Sequence, residues 1–302
     1  MLSSLGGATI KLVLKPSFQL NQRVLATDAH HIAAKGINAH EHPGEGQDVA
    51  AAVHEHEALM AALRQAGVTV EQIPCPPECQ DGVFTANWGL TWNSRALLSN
   101  LPNLRKSEEP YAEAALQKLG FETKRASVLF SGQGDAMIIG GNRVLIGNGY
   151  RSDPAVTTEI RDWLGLEPIV VRAQPKRHFG FGPPVRNRLT GLWDSYFYDL
   201  DIAVAVIRPD LIAVCLDALT REGRAAITGL SDIEVIPVDL HEARDSLATN
   251  LVSVGQTVIM VDNAPKLTAE LRRRGFNLVL LPNHQLKKSG GGFRCSCLSL
   301  YS

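Results

Sequence analysis

Residues 287–300 read KKSGGGFRCSCLSL, and no other stretch of the chain says as much about its architecture. Three successive glycines ahead of an apolar run have no use inside a strand, where glycine offers no side chain to pack. They let a backbone bend sharply or pass close to a ligand. Cys295 follows at once, beside Arg294 and downstream of Lys287 and Lys288. Positive charge around a thiol favours the thiolate, its reactive form. The ordinary alternative is a buried structural cysteine behind a glycine turn.

Upstream of this string, short apolar and period-two runs alternate with helical patterns, the signature of an α/β fold. Strands are expected at 9–14, 68–73, 83–92, 96–98, 136–139, 144–146, 202–207, 211–215, 233–238, 257–261 and 278–281. Four helices carry their own punctuation. One runs over 47–65 and stops at Gly67, and one is capped by Ser107 and stops at Gly120. A third opens at Asp153 and Pro154 and ends before Gly165, and the last opens at Asn263 and Pro265 and ends at Gly275. Two or more strands separate each helix from the next, which fits repeated strand, strand, helix, strand units better than a doubly wound sheet. Residues 174–191, rich in glycine and proline around 180–184, read as a surface loop or lid.

Composition excludes several function classes. The 302 residues hold 30 basic against 31 acidic side chains, so no bulk field recruits nucleic acid or anionic membrane. Arg272, Arg273 and Arg274 close a helix, where exposed carbonyls favour cations. No apolar run reaches a bilayer's span and no export signal opens the chain, so a cytoplasmic protein is expected. Five cysteines and no export signal argue against a disulfide framework. Cys75 and Cys79 lack a second ligand pair, so no metal is expected. The glycines of GQGDAMIIGG, at 132–141, do not sit between a strand and a helix, which excludes a dinucleotide fingerprint.

The string SGGGFRC resembles the terminal glycine-rich cysteine motif of the amidinotransferase, arginine deiminase and dimethylargininase superfamily, whose cysteine attacks a guanidine carbon. Two further segments match in the same order. CQDGVFTANWGLTW, at 79–92, is similar to the superfamily's early strand and points to Asp81 and Asn87 as substrate contacts. FSGQGDAMIIGGNRVLIGNGYRSD, at 130–153, is similar to its central motif and points to Asp135, while LRKSEE, at 104–109, points to Arg105 as the contact for a substrate carboxylate. Together the matches extend from about residue 80 to the end of the chain.

That resemblance implies one domain over residues 1–302, folded as an α/β propeller of pseudo-fivefold ββαβ units around a central polar pocket. It also implies a small guanidino or amidine substrate and no cofactor, and it leaves oligomeric state open, a homodimer included. Cys295 is the implied nucleophile, with a covalent intermediate resolved by water or by an acceptor amine. The chain departs from the superfamily pattern at several points. Ser131 stands where a glutamate pairs with the guanidinium, Gln285 where an acid precedes the glycines, and Asn87 where deiminases have aspartate. In FYDLDIAVAVI, at 197–207, Asp199 takes the place of the catalytic histidine, with Asp201 two residues on. An isolated aspartate is ionised at neutral pH and makes a poor general acid unless burial or a second carboxylate raises its pKa. Asp199 with Asp201 nearby is therefore the expected proton-transfer position. A relative that binds a cationic ligand or a partner without turnover is the competing reading.

The remaining candidates have plain structural readings. His40 and His42, and His54 and His56, are expected on solvated surface, while His178 and His284 are the histidines with a route to Cys295. Trp88 and Trp92 are expected in the core.

Overall fold

The computed structural model describes residues 19–33, 35–42, 46–79 and 81–302, so the strand expected at 9–14 lies outside the described residues. Its strands form five separate three-stranded sheets with one repeated plan. In chain order the elements are β1 (Arg23–Ala26), α1 (Val49–Gln65) and β2 (Thr69–Gln72), followed by β3 (Gly89–Trp92), β4 (Arg95–Leu98), α2 (Glu109–Lys118) and β5 (Glu122–Arg125). Next come β6 (Ala136–Ile139), β7 (Arg143–Gly147), α3 (Val156–Glu159), β8 (Glu167–Val171), β9 (Val204–Arg208), β10 (Leu211–Val214), α4 (Arg221–Thr228) and β11 (Glu234–Pro237). The last are α5 (Leu240–Asp245), β12 (Val252–Val254), β13 (Thr257–Val261), α6 (Pro265–Arg273), β14 (Asn277–Leu281) and β15 (Leu298–Ser299).

Each sheet has a middle strand paired antiparallel to a hairpin neighbour and parallel to a strand reached through a helix. A parallel partner needs such a crossover, and the helix supplies it. In the first sheet the antiparallel neighbour is β15, from the far end of the chain: Val24 pairs with Ser299 and Leu25 with Leu298. Contacts between sheets run in a cycle. β15 meets β3, the turn before β3 meets the turn before β6, β6 meets β9, β9 meets β12, and α1 closes the circuit against β13 and β14.

Middle strands such as β7, β10 and β13, and hairpin strands such as β6, are buried on both faces or nearly so, which is why they read as continuous apolar runs. The parallel third strands are different. β5 is Glu-Thr-Lys-Arg and β8 is Glu-Pro-Ile-Val-Val; both are edges, where charge and proline are tolerated, so β5 has no apolar run to reveal it and that of β8 is three residues behind a proline. Short β1 and helices α4 and α5 were likewise without a sequence signal long enough to read.

The four helix stops hold: Gly67, Gly120, Gly165 and Gly275 all have positive φ. Two helix starts differ. Ser107 lies inside a 3-10 turn, Asn103–Glu108, and its hydroxyl donates to Glu78 O instead of capping α2. The helix begun at Pro154 is only four α residues before it widens into a π turn over Ile160–Leu164. His56 is buried, not solvated, because it lies on the face of α1 that packs inward with Leu59, Met60 and Leu63.

Two expected strands were too long at their starts. Residues 85–88 form a 3-10 turn before β3, and residues 200–202 form one before β9. These turns are as buried as the strands they precede, so hydropathy gives no sign of where the turn ends. Trp88 is fully buried in the first of them, and Trp92 is buried in β3. The loop over 174–191 has isolated bridges at Arg177 with Pro184 and Arg186 with Trp193, and Asn187 Nδ2 donates to Gly36 O at 2.9 Å.

Candidate active site

The innermost strands β3, β6, β9, β12 and β15 all start behind tight turns, and those turns meet. Cys295 sits in a turn over 293–297, held by Cys297 N donating to Arg294 O at 3.1 Å. Its carbonyl accepts from Ala86 N of the turn before β3 at 2.9 Å. Asn250, from the turn before β12, makes a reciprocal pair with Cys295: Asn250 Nδ2 donates to Sγ at 3.0 Å, and Cys295 N donates to Asn250 Oδ1 at 3.1 Å. Sγ lies 3.3 Å from Oδ2 of Asp201, from the turn before β9. Four sheets therefore converge on one cysteine.

The thiol is 2% exposed, covered by Ala29, Ile32, Val83, Phe84 and Leu286. Burial, and then the charges of Asp201 and Asp199, push its pKa well above the usual thiol value. The expected cationic setting does not exist around the sulfur. Arg294 Nη2 donates to Gln133 Oε1 at 2.7 Å, Lys287 to Asp245 O, and Lys288 to Gly46 O, so the neighbouring cations point elsewhere.

Asp201 is raised to about 8, first by burial and then by the charge of Asp199, and its Oδ1 is buried without a hydrogen-bond partner. Asp199 was expected to move protons. Its oxygens accept from Ser131 Oγ at 2.9 Å and Asn87 Nδ2 at 2.8 Å, and Arg151 lies 3.7 Å away. The carboxylate touching the thiol is Asp201. Ser131, in the place of the superfamily's glutamate, thus binds the aspartate that stands in the place of its histidine.

Asn87 is the hinge of this network, because its amide nitrogen also donates to Ser131 O and Oγ while its oxygen accepts from Arg105 Nη1 at 2.7 Å. Arg105 is 2% exposed, with its fork held by Glu108 at 2.7 Å on both arms and by Asp81 O at 3.1 Å. Each of its three guanidinium nitrogens donates to a protein oxygen. Burial alone would lower the guanidinium's pKa, and the Glu108 carboxylate more than reverses that. Arg105 so placed braces Asn87 from behind.

Asp81 is buried with Oδ1 unpartnered and is raised to about 7, chiefly by burial. Asp135 is also buried and raised well above the usual carboxylate value, by burial and then by Asp199. Its oxygens are occupied by Ser152 Oγ at 2.7 Å and Leu200 N at 3.0 Å, which ties the turn before β6 to the one before β9. Gly134 is needed in between: a Cβ there would stand 2.8 Å from Asp199 Oδ2.

The three glycines are explained by the same crowding. Gly290 has φ +88° and lies against the Asn38 amide, Gly291 lies against the Phe84 ring, and a Cβ on Gly292 would be 2.9 Å from Asn283 Nδ2. Gly291→Ala must displace Phe84, a ring packed in the cluster over Cys295. Overpacking of this kind costs about 1–3 kcal/mol. The expected result is a melting temperature several degrees lower with faster alkylation of Cys295; an unchanged melt and unchanged labelling would mean the ring yields freely.

Among the described residues no histidine hydrogen-bonds Cys295. His178 is exposed in the loop, and His284 is exposed with its amide donating to Glu55 at 2.8 Å. Sequence reasoning missed four members of the site. Asn250 has no motif around it; Arg151 stacks its guanidinium 4.0 Å above Tyr198, whose hydroxyl donates to Gly290 O at 2.7 Å. Glu41 is buried and accepts from the amides of Lys35 and Gly36, and its charge helps to raise Asp81. Arg151 and Tyr198 lie inside the segments quoted at 130–153 and 197–207, and Glu41 lies between two histidines with a polar side chain at 38. No group of three His, Cys, Asp or Glu among the described residues is placed to hold a metal, and no helix among them is long and apolar enough to cross a membrane.

Comparison with known proteins agrees with this arrangement. The chain is 28% identical over 255 residues to the N(G),N(G)-dimethylarginine dimethylaminohydrolase of Mycobacterium tuberculosis, covering 84% of this chain and 77% of that one. It is 24% identical over 295 residues to an uncharacterised protein, YkgA, of Bacillus subtilis, covering 96% and 95%. In structure it is similar to the substrate-bound N-terminal domain of the cyanobacterial arginine dihydrolase ArgZ. That match has a TM-score of 0.82 at 24% identity and covers 93% of this chain and 98% of the other. A dimethylargininase from Pseudomonas aeruginosa complexed with citrulline has the same fold, with a TM-score of 0.70 at 19% identity and coverage of 93% and 99%. The model of the family described as N,N dimethylarginine dimethylhydrolase, eukaryotic, matches residues 18–302. With the whole described chain inside that match, and the thiol, carboxylates and amides of its motifs meeting at one point, the protein belongs to the N,N-dimethylarginine dimethylhydrolase family.

Proposed function

We propose that this chain is a hydrolase of guanidino or amidine compounds, with Cys295 as the nucleophile. The observation that carries this reading is the contact of Cys295 Sγ with Asp201 Oδ2 at 3.3 Å, inside a buried network that also holds Asp199 and Asn87. A cationic group fits there because it relieves the crowding of Asp81, Asp135, Asp199 and Asp201. In this reading the five sheets form a pseudo-fivefold propeller in one domain, and the convergent turns form its axial site.

The chemistry balances without a cofactor. Sulfur bonds to the guanidine carbon, and the thiol proton passes through the Asp201 carboxyl to the departing nitrogen as the carbon–nitrogen bond breaks. Water then adds to the thiouronium carbon, the carbon–sulfur bond breaks, and the thiol is restored with release of a urea-type product. Asp201 touches the sulfur, and its raised pKa suits a group that must both hold and give up a proton near neutrality. Asn87 and Asp135 orient the cation, with Arg105 a positioning residue behind Asn87. Since Cys295 is sealed beneath Ala29, Ile32, Val83, Phe84 and Leu286, part of that cover must move aside for substrate.

Ser131 and Asp199 in place of the superfamily's glutamate and histidine favour a second reading, in which the cation binds but is not turned over. One experiment separates the two. The protein is incubated with a haloacetamidine and with a panel of guanidino compounds, while adducts are followed by intact mass and released amines are assayed. Expected are one adduct on Cys295 and amine release that Cys295→Ala abolishes. Labelling of Cys295 no faster than of Cys75, Cys79 and Cys215, with no amine released, would leave binding alone.

A further inference from the structure

A cleft of about 360 Å³ opens beside the buried site, lined by His40, His42, Arg244, His284, Lys287 and Lys288. Tyr198 links it to the glycine run before Cys295. His40 stands edge-on to Tyr198 with ring centroids 6.2 Å apart, and Tyr198 bonds to Gly290, the first of the three glycines. The segment 40–42 divides along its length: His40 and His42 line the cleft, while Glu41 turns inward among the buried carboxylates. Lys287 and Lys288 lie in the 3-10 turn Leu286–Ser289, which leads directly into those glycines.

The charges of the cleft do not cancel. Arg244 is matched by Asp245, with Nε to Oδ1 at 2.7 Å and Nη2 to Oδ2 at 3.2 Å. Lys287 and Lys288 donate only to backbone carbonyls, those of Asp245 and Gly46, and among the described residues neither has a carboxylate partner. Two ammonium charges at the mouth of a site built for a cation select against an ammonium and for an anion. An ammonium has three donors, so each lysine keeps hydrogens for an oxyanion.

We propose that this cleft holds the far end of the substrate, and that this end is a dianionic oxyanion, a phosphate or a dicarboxylate, in place of the ammonium and single carboxylate of a free amino acid. The inference rests on the guanidino reading for its inner end only. Guanidinium among the aspartates and dianion between the lysines would give such a substrate opposite charges at its two ends, matched to the two halves of the site.

Calorimetric titration with inorganic phosphate and with succinate tests the cleft without requiring turnover. Expected is saturable binding of one of them, which names the oxyanion, weakened at least tenfold in Lys287→Gln/Lys288→Gln and unchanged in Cys295→Ala. An unaltered melting temperature certifies the double variant. Should it fail to fold, Lys288→Gln alone is expected to weaken binding about threefold. Binding of neither anion, or equal binding by wild type and lysine variants, overturns the proposal. The two readings fail separately: lysine-dependent anion binding without any Cys295 adduct sinks the guanidino chemistry and keeps the cleft, whereas adduct formation without anion binding does the reverse.

Discussion

Asp201→Asn is expected to lower kcat/KM on a turned-over guanidino compound by about 10²–10⁴-fold, the usual worth of a positioned proton-transfer group. The amide keeps the shape and the contact to Sγ but cannot take the thiol proton. Loss should appear in kcat, measured under saturating substrate, and a change confined to KM would mean that Asp201 only binds. The same substitution has a signature in stability. A carboxyl at about 8 in the fold and near 3.9 unfolded keeps its proton in the native state while the unfolded chain has lost it. Its contribution is therefore fully present below pH 4 and is lost as pH rises through about 8. Melting temperatures of the wild type should fall between pH 5 and pH 8.5, and Asp201→Asn should flatten part of that fall. Parallel melting curves for the two proteins would show that Asp201 carries no raised pKa.

Arg105→Met is expected to cost about 3–5 kcal/mol, the penalty for leaving a buried charge uncompensated. The stranded group is Glu108, 1% exposed, which accepts from both arms of the guanidinium and from Trp88 Nε1 at 3.0 Å. Asn87 loses its brace as well, and with it the fixed position of Asp199. The double variant Arg105→Met/Glu108→Gln should recover much of the loss, since a neutral amide asks far less of its surroundings than a carboxylate. Chemical denaturation of the two single variants and the double variant measures this. If the double variant is as unstable as the sum of the single ones, the pair is not coupled and the brace has another source.

Cys295 drew notice because the glycine run ahead of it is visible in the sequence itself, whereas Asp81, Asn87 and Asp135 were pointed to only by the resemblance of the segments around them to family motifs. The role of Arg105 was out of reach. A sequence shows that a guanidinium is present, but whether it faces solvent, substrate or Glu108 depends on the burial of a turn three residues away. Lys287 and Lys288 were misread for the same reason: closeness in sequence to a thiol says nothing about where a long side chain points.

By itself the sequence determined the α/β class, the alternation of two strands, a helix and a strand, the four helix stops and the sulfur at the end of a glycine run. Those features depend on periodicity and on backbone freedom, which are properties of a few neighbouring residues. Only tertiary structure decided that β15 returns to pair with β1, that Asp201 and not Asp199 touches the thiol, and that Asn250 completes the sulfur's surroundings. Each of these joins residues 45 or more positions apart, and such contacts arise from the closing of the whole chain, which no local pattern records.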